Sequence, residues 1–216
     1  MGVRVQQSGK HVLAPTALEV WQSTLQAVEL LWTGKSDQGF IFEVLQATSS
    51  LSMLVTGLEN YGKTRLLEIE TEGITPDASA LFTAFSSRAE RESGRFAELQ
   101  TQATATGQSI FATVVDNVRI NFQNFDDLKR AFRASYGIKV GEIGVDTAVL
   151  GELRRLIGYR HRIVHVSPLL AMLNQDKVPP DEPVFANRAL SERAVTVFRS
   201  VVEALHKAST DIRPQP

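Results

Sequence analysis

The chain has 216 residues, of which 43% are hydrophobic and 22% charged, with a formal net charge of −1. That length supports one globular domain, and the near-neutral balance excludes a global basic field, so any RNA or DNA contact must come from a local patch. Cysteine is absent, which excludes disulfides, thiolate metal sites and cysteine nucleophiles.

In chain order, residues 1–15 read as an irregular arm closed by Pro15. The opening MGVRVQQSGKHV lacks the apolar core of a signal peptide. It carries Gln6 where a myristoylation signal has Ser or Thr. No apolar run reaches the roughly 18 residues that span a bilayer, and a cytoplasmic protein with no membrane partner is expected. From Thr16, apolar residues at Leu18, Trp21, Leu25, Val28 and Leu31/Trp32 fall in steps of three and four and predict a helix. A second helical pattern starts near Phe40 and passes through Val44, Leu45, Leu51, Leu54, Val55 and Leu58 towards Leu66 and Leu67. GITPDAS, residues 73–79, is a stop and restart, with Thr75 as N-cap and Pro76 in the first turn. From Ala78 to about Thr106 the chain is polar, with Phe82, Phe85, Phe96 and Leu99 as anchors, and reads as a long exposed helix with a break at Gly94.

SIFATVVDNVRINF is rich in β-branched residues and fits a helix or a short strand. FDDLKRAFRASYG, 125–137, is a short helix capped by Gly137. IKVGEIGV is a loop, and Asp146 caps a helix carrying Val149, Leu153, Leu156, Ile157, Ile163 and Val164, with Pro168 at or beyond its end. Residues 174–187 form a proline-rich loop, 190–208 a last helix, and 211–216 a tail. The whole reads as all-α, one domain over 16–210.

GLENYGKT, residues 57–64, matches the phosphate-loop pattern G-x-x-x-x-G-K-[ST], and IFATVVD, 110–116, resembles a metal-holding strand that ends in aspartate. A phosphate loop needs parallel strands alternating with helices. Here Leu51, Leu54, Val55, Leu58 and Tyr61 carry a helical stripe straight through the eight letters. A helix that happens to spell the pattern is expected.

The one dense basic cluster comprises Arg154, Arg155, Arg160, His161, Arg162 and His165, with Glu152 the nearest acid. A helix C-terminus favours cations by about 0.3–1 kcal/mol each, which accounts for basic residues without any function. His161 and His165 stand at i and i+4, but two nitrogens make too small a zinc site and position 162 is Arg162 rather than glutamate. His11 and His206 are distant in sequence, and no metal is expected. Arg160 and His165 are offset by roughly 140° on a straight helix. They meet on one ligand either where the helix loosens before Pro168 or across a two-fold axis. Arg offers a planar fork to a phosphate and His moves a proton near neutral pH.

RHRIVH, residues 160–165, is an R-x4-H motif. With FDDLKRAFRASYGIKV and LGELRRLIGYRHRIVHVSP around it, and LSMLVTGLENYGKTRLL upstream, the chain resembles the HEPN superfamily (higher eukaryotes and prokaryotes nucleotide-binding domains). The resemblance covers roughly 16–71 and 107–208 and leaves 76–106 as a helical insertion. It implies an up-and-down helical bundle and a metal-independent endoribonuclease without cofactor, acting as a homodimer with a composite cleft, in a toxin–antitoxin or phage-defence setting. Arg160 and His165 would be the catalytic pair. His161 takes the polar position after the arginine, Glu59 orients Arg160 from the neighbouring helix, and Arg155 and Arg162 contact RNA. Ser167 replaces the tyrosine that some toxin-type members expose to nucleotide transfer, so regulation by an antitoxin through that route is not expected. Other members bind RNA, nucleotide or a protein partner without cutting, and that is the alternative.

Overall fold

The computed structural model describes residues 15–33, 40–165 and 188–212, and of Phe40, Ile41 and 162–165 the backbone alone. The expected arm up to residue 14, Ser167, Pro168, the loop 174–187 and the tail beyond 212 lie outside the described residues. All regular structure among the described residues is helical: α1 (Ala17–Thr33), α2 (Phe40–Thr71), α3 (Ala78–Phe85), α4 (Arg88–Glu92), α5 (Arg95–Thr106), α6 (Ile110–Asn117), α7 (Phe125–Tyr136), a 3-10 turn (Val140–Glu142), α8 (Thr147–His165) and α9 (Arg188–Thr210). None of these helices is long and apolar enough to cross a membrane.

Thr16 and Glu19 start α1 reciprocally. The Thr16 N–H donates to Glu19 Oε2 at 2.7 Å, and the Glu19 N–H donates to Thr16 Oγ1 at 3.2 Å. Ala17, Trp21 and Val28 then bury one face of α1. That face lies antiparallel against α2: Gln46 Nε2 donates to the Leu31 carbonyl near one end, and Thr24 meets Gly57 farther along. A Cβ on Gly57 would fall 2.4 Å from Thr24 Cγ2. The glycine is what lets the two helices touch.

At 32 residues, α2 is the axis of the molecule. Its buried positions include Val44, Ala47, Leu51, Leu54, Val55, Leu58, Tyr61, Leu66 and Ile69, at the three- and four-residue steps of one wide apolar stripe. Helix α9 runs in the same direction along it. Trp32 Nε1 bridges Ser50 at 3.0 Å and Ser191 at 3.1 Å, and farther along Arg65 Nε donates to Ser209 Oγ at 2.7 Å. Phe198, Val201, Val202 and Leu205 supply the α9 side of a single hydrophobic cluster.

The segment 76–106 departs from expectation. It is not one long helix but three short ones, α3, α4 and α5. Ser86 is extended at the end of α3 (φ −89°, ψ 147°), and Ser87 opens α4 with a capping box to Glu90. Gly94, at φ 77°, turns the chain into α5. Serine side chains compete with the helical backbone and favour caps, so the Ser-Ser pair breaks the helix before the glycine does. The N-cap of α3 is Asp77, which accepts from Ala80 N at 2.7 Å, and not Thr75. The β-branched run after Gly107 is helical, with Ser109 capping α6.

Helix α7 fixes this arm to the axis: Tyr136 Oη donates to the Leu66 carbonyl at 2.7 Å. Gly137 at φ 71° and Asp146, which accepts from Ala148 N at 2.8 Å, end α7 and start α8 as their sequence positions imply.

Candidate functional site

Helix α8 buries Leu153, Leu156 and Ile157. The next residue on that face, at the same three- and four-residue step, is Arg160. Its aliphatic stem continues the apolar stripe and its guanidinium is carried into the seam between helices, half-buried. Arg154, Arg155 and His161 lie on the exposed side of the same helix.

Arg160 Nη1 donates to Gln123 Oε1 at 2.7 Å, and Gln123 Nε2 donates to Glu59 Oε2 at 2.6 Å. Glu59 therefore does stand behind Arg160, but through an intermediary that sequence reading did not single out. The loop before α7 presents Gln123 by local means. Its N–H donates to Asn121 Oδ1 at 3.1 Å, and Asn124 caps α7 through Asp126 N at 2.9 Å. Phe122 and Phe125 are buried on either side of it. On α2, Gly62 lies one turn from Glu59, and a Cβ there would stand 3.2 Å from Phe122 Cδ1. The missing side chain allows the loop to settle against the axis and brings Gln123 to the carboxylate.

Arg160 Nε is buried and finds no hydrogen-bond partner among the described residues. A buried unmet donor costs about 1–3 kcal/mol. Around it the charges are mixed. Arg154 donates to Asp126 at 2.6 Å. Partial burial works to raise the Asp126 carboxyl, but hydrogen bonds from Lys129 and Arg154 outweigh it and hold the group below its ordinary value. Arg155 and His161 are exposed, with no ion pair among the described residues. The side chains of Arg162 and His165 lie outside the described residues, although the α8 backbone stays helical through His165.

A second polar cluster, also unread in the sequence, sits between α2 and α9. Arg65 is 1% exposed, and its three nitrogens reach Ser209, Glu68 and Glu72. Tyr61 packs its ring 6.2 Å from that of His206. Burial pushes the Tyr61 hydroxyl up, and burial followed by the Arg65 charge pushes His206 down. His206 thus belongs to the Arg65 cluster.

Residues 57–64 are helical from end to end, so their amides serve the helix and form no phosphate cradle. Both glycines of the pattern are contact points, Gly57 for α1 and Gly62 for the Gln123 loop. Lys63 pairs with Asp116 at 3.2 Å on the surface. A cleft of about 660 Å³ between α1 and α9 is lined by Leu25, Val28, Trp32 and Val195, and among the described residues Glu59, Arg155, Arg160 and His161 do not line it.

Comparisons of the chain with protein-family models, with curated proteins and with solved structures return no match.

Proposed function

We propose that the protein is a metal-independent endoribonuclease of the HEPN type, with Arg160 and His165 as its catalytic pair. The observation that supports this reading is the state of Arg160. It is a guanidinium half-buried in a helix seam, fixed by one neutral acceptor, with a buried Nε–H left over. Arginine forks recognise phosphate oxygens through paired donors, and a guanidinium whose one described acceptor is neutral keeps its positive charge for a phosphodiester.

In the reaction, the RNA 2′-hydroxyl attacks its adjacent phosphorus. The P–O5′ bond breaks, giving a 2′,3′-cyclic phosphate and a 5′-hydroxyl. His165 takes the 2′-hydroxyl proton or delivers one to the leaving 5′ oxygen, a contribution of about 10²–10⁴-fold in typical enzymes. Arg160 holds the phosphate and offsets the charge that grows on its oxygens.

Because α8 remains helical from 160 to 165, the roughly 140° offset of the two residues persists. That register supports the reading in which a homodimer brings the two residues together, each protomer completing the other's site. Arg155 and Arg162 would track the RNA, with His161 in a supporting place beside Arg160.

The test is cleavage of RNA in EDTA by the wild type, His165→Ala and Arg160→Ala, with the product ends determined. Expected are cyclic-phosphate ends from the wild type, and rates down by at least about 10²-fold in both variants. Intact RNA with wild-type protein, and weaker RNA binding by Arg160→Ala, would instead assign the chain as a non-catalytic binding module.

A further inference from the structure

Glu59 and Arg160 carry opposite charges and approach the same seam, yet the described bonds route them through a neutral amide. The orientation of that amide is dictated. A carboxylate only accepts and a guanidinium only donates, so Gln123 must turn its N–H towards Glu59 and its oxygen towards Arg160. Both bonds have ordinary lengths, 2.6 Å and 2.7 Å. The flipped amide would set oxygen against oxygen and N–H against N–H.

An amide spacer does something that a direct ion pair cannot. A carboxylate against Arg160 would occupy the guanidinium fork and cancel its charge at contact distance. Gln123 fixes Nη1 with a neutral bond and transmits the orientation of Glu59 without its charge. The guanidinium is left positive, with its Nε–H unmet. Arg65 shows the other arrangement in the same molecule: glutamates touch it directly, and its nitrogens are taken.

We infer that Gln123 is a positioning residue, a neutral adaptor that holds Arg160 in one orientation while keeping its charge available to a phosphodiester. This rests on the phosphodiester reading of Arg160 given above. Gln123 reaches the site from the loop before α7, so that loop, settled against α2 at Gly62, completes the seam.

The experiment compares wild type, Gln123→Ala and Gln123→Glu, each checked for an unchanged unfolding midpoint. Two readouts are taken: RNA cleavage resolved into kcat and KM, and the arginine Nε–H NMR signal of Arg160 during titration with a 2′-O-methyl oligoribonucleotide, which cannot be cleaved. Gln123→Ala should lower kcat by about 100-fold through misplacement of the guanidinium, with a smaller change in KM. Gln123→Glu keeps a hydrogen-bond acceptor in place but neutralises Arg160. At about pH 7.5 it should lose cleavage and the oligonucleotide-induced shift, and towards about pH 5 the protonated carboxyl, which again pairs a donor with an acceptor, should narrow the deficit relative to wild type at the same pH.

A purely space-filling role would leave Gln123→Glu active and without that pH signature. Wild-type rates in both variants overturn the inference and leave the nuclease reading standing. Intact RNA, with the Arg160 signal moving in wild type but not in Gln123→Glu, removes the nuclease reading and leaves the inference standing. An Arg160 signal that ignores the oligonucleotide in the wild type overturns the inference.

Discussion

Two arginines of this molecule, both reaching into helix seams, are handled in opposite ways. Arg65, between α2 and α9, is 1% exposed and has an acceptor for each nitrogen: Ser209 for Nε, Glu68 and Glu72 for Nη1, and Glu72 again for Nη2. Arg160, at the α8 seam, has one described hydrogen bond, to a neutral amide, and a buried Nε without a partner. A guanidinium with an acceptor at every nitrogen is part of the scaffold, because breaking any contact exposes a buried charge. One held by a single neutral acceptor has no carboxylate against it among the described residues, and its charge is not cancelled at contact distance. Burial alone does not separate the two cases; the inventory of acceptors does.

The largest test of that contrast is to remove each cation in turn. Arg65→Met strands Glu68, Glu72 and Ser209 and should cost about 3 kcal/mol in urea denaturation, at the low end for a broken buried pair because both glutamates keep some solvent. Arg160→Met should change stability by less than about 1 kcal/mol while abolishing Arg160-dependent RNA handling. Equal destabilisation by the two substitutions would dissolve the distinction.

A smaller effect is expected with pH around Arg65. His206 faces Tyr61 and Arg65 of α2, with Glu68 and Glu72 behind. Burial, reinforced by Arg65 and only partly offset by the two glutamates, holds its pKa below the ordinary 6.5. Below pH 6.5 the unfolded chain therefore binds the proton that the folded chain resists. Stability is full above that pH and falls as the pH drops through the depressed value. The melting temperature of the wild type should decline over that window, and His206→Gln should flatten the decline. An unchanged slope in the variant would detach His206 from the Arg65 cluster.

The smallest effect belongs to a third cation. Lys63 and Asp116 are 51% and 50% exposed, so Lys63→Ala should cost less than about 0.5 kcal/mol and leave ATP binding unchanged. An ATP affinity that vanishes with Lys63 would revive the phosphate-loop reading.

What the sequence revealed follows the range of its signals. Thr16, Gly137 and Asp146 mark helix ends through contacts a few residues away, and those boundaries are where the spacing places them. The break at Ser86-Ser87 is equally local, but the helical composition of 78–106 masks it. Arg160 and Glu59 stand out by charge and by resemblance, and the structure links them. Gln123 could not be singled out: its partner Glu59 is 64 residues away and Arg160 is 37, and an uncharged side chain in a loop carries no mark of what it will face. Its one faint signal is position, a polar residue held between Phe122 and Phe125. Arg65, Glu68 and Glu72 do share a helical face in the sequence, but nothing there tells that Ser209 will close over them. The two glycines of GLENYGKT were visible as letters, yet only the packing of Thr24 and Phe122 explains them.

The indole N–H shared by Ser50 and Ser191 has a practical consequence. The protein contains two tryptophans, and α1 holds them in unlike surroundings: Trp21 is 1% exposed with an unbonded N–H, whereas Trp32 is half-buried and bonded to α2 and α9 at once. Their fluorescence should therefore differ in colour, bluer from the sealed ring and redder from the one at the cleft. The separation of the two bands would report on the docking of α9 independently of the rest of the core.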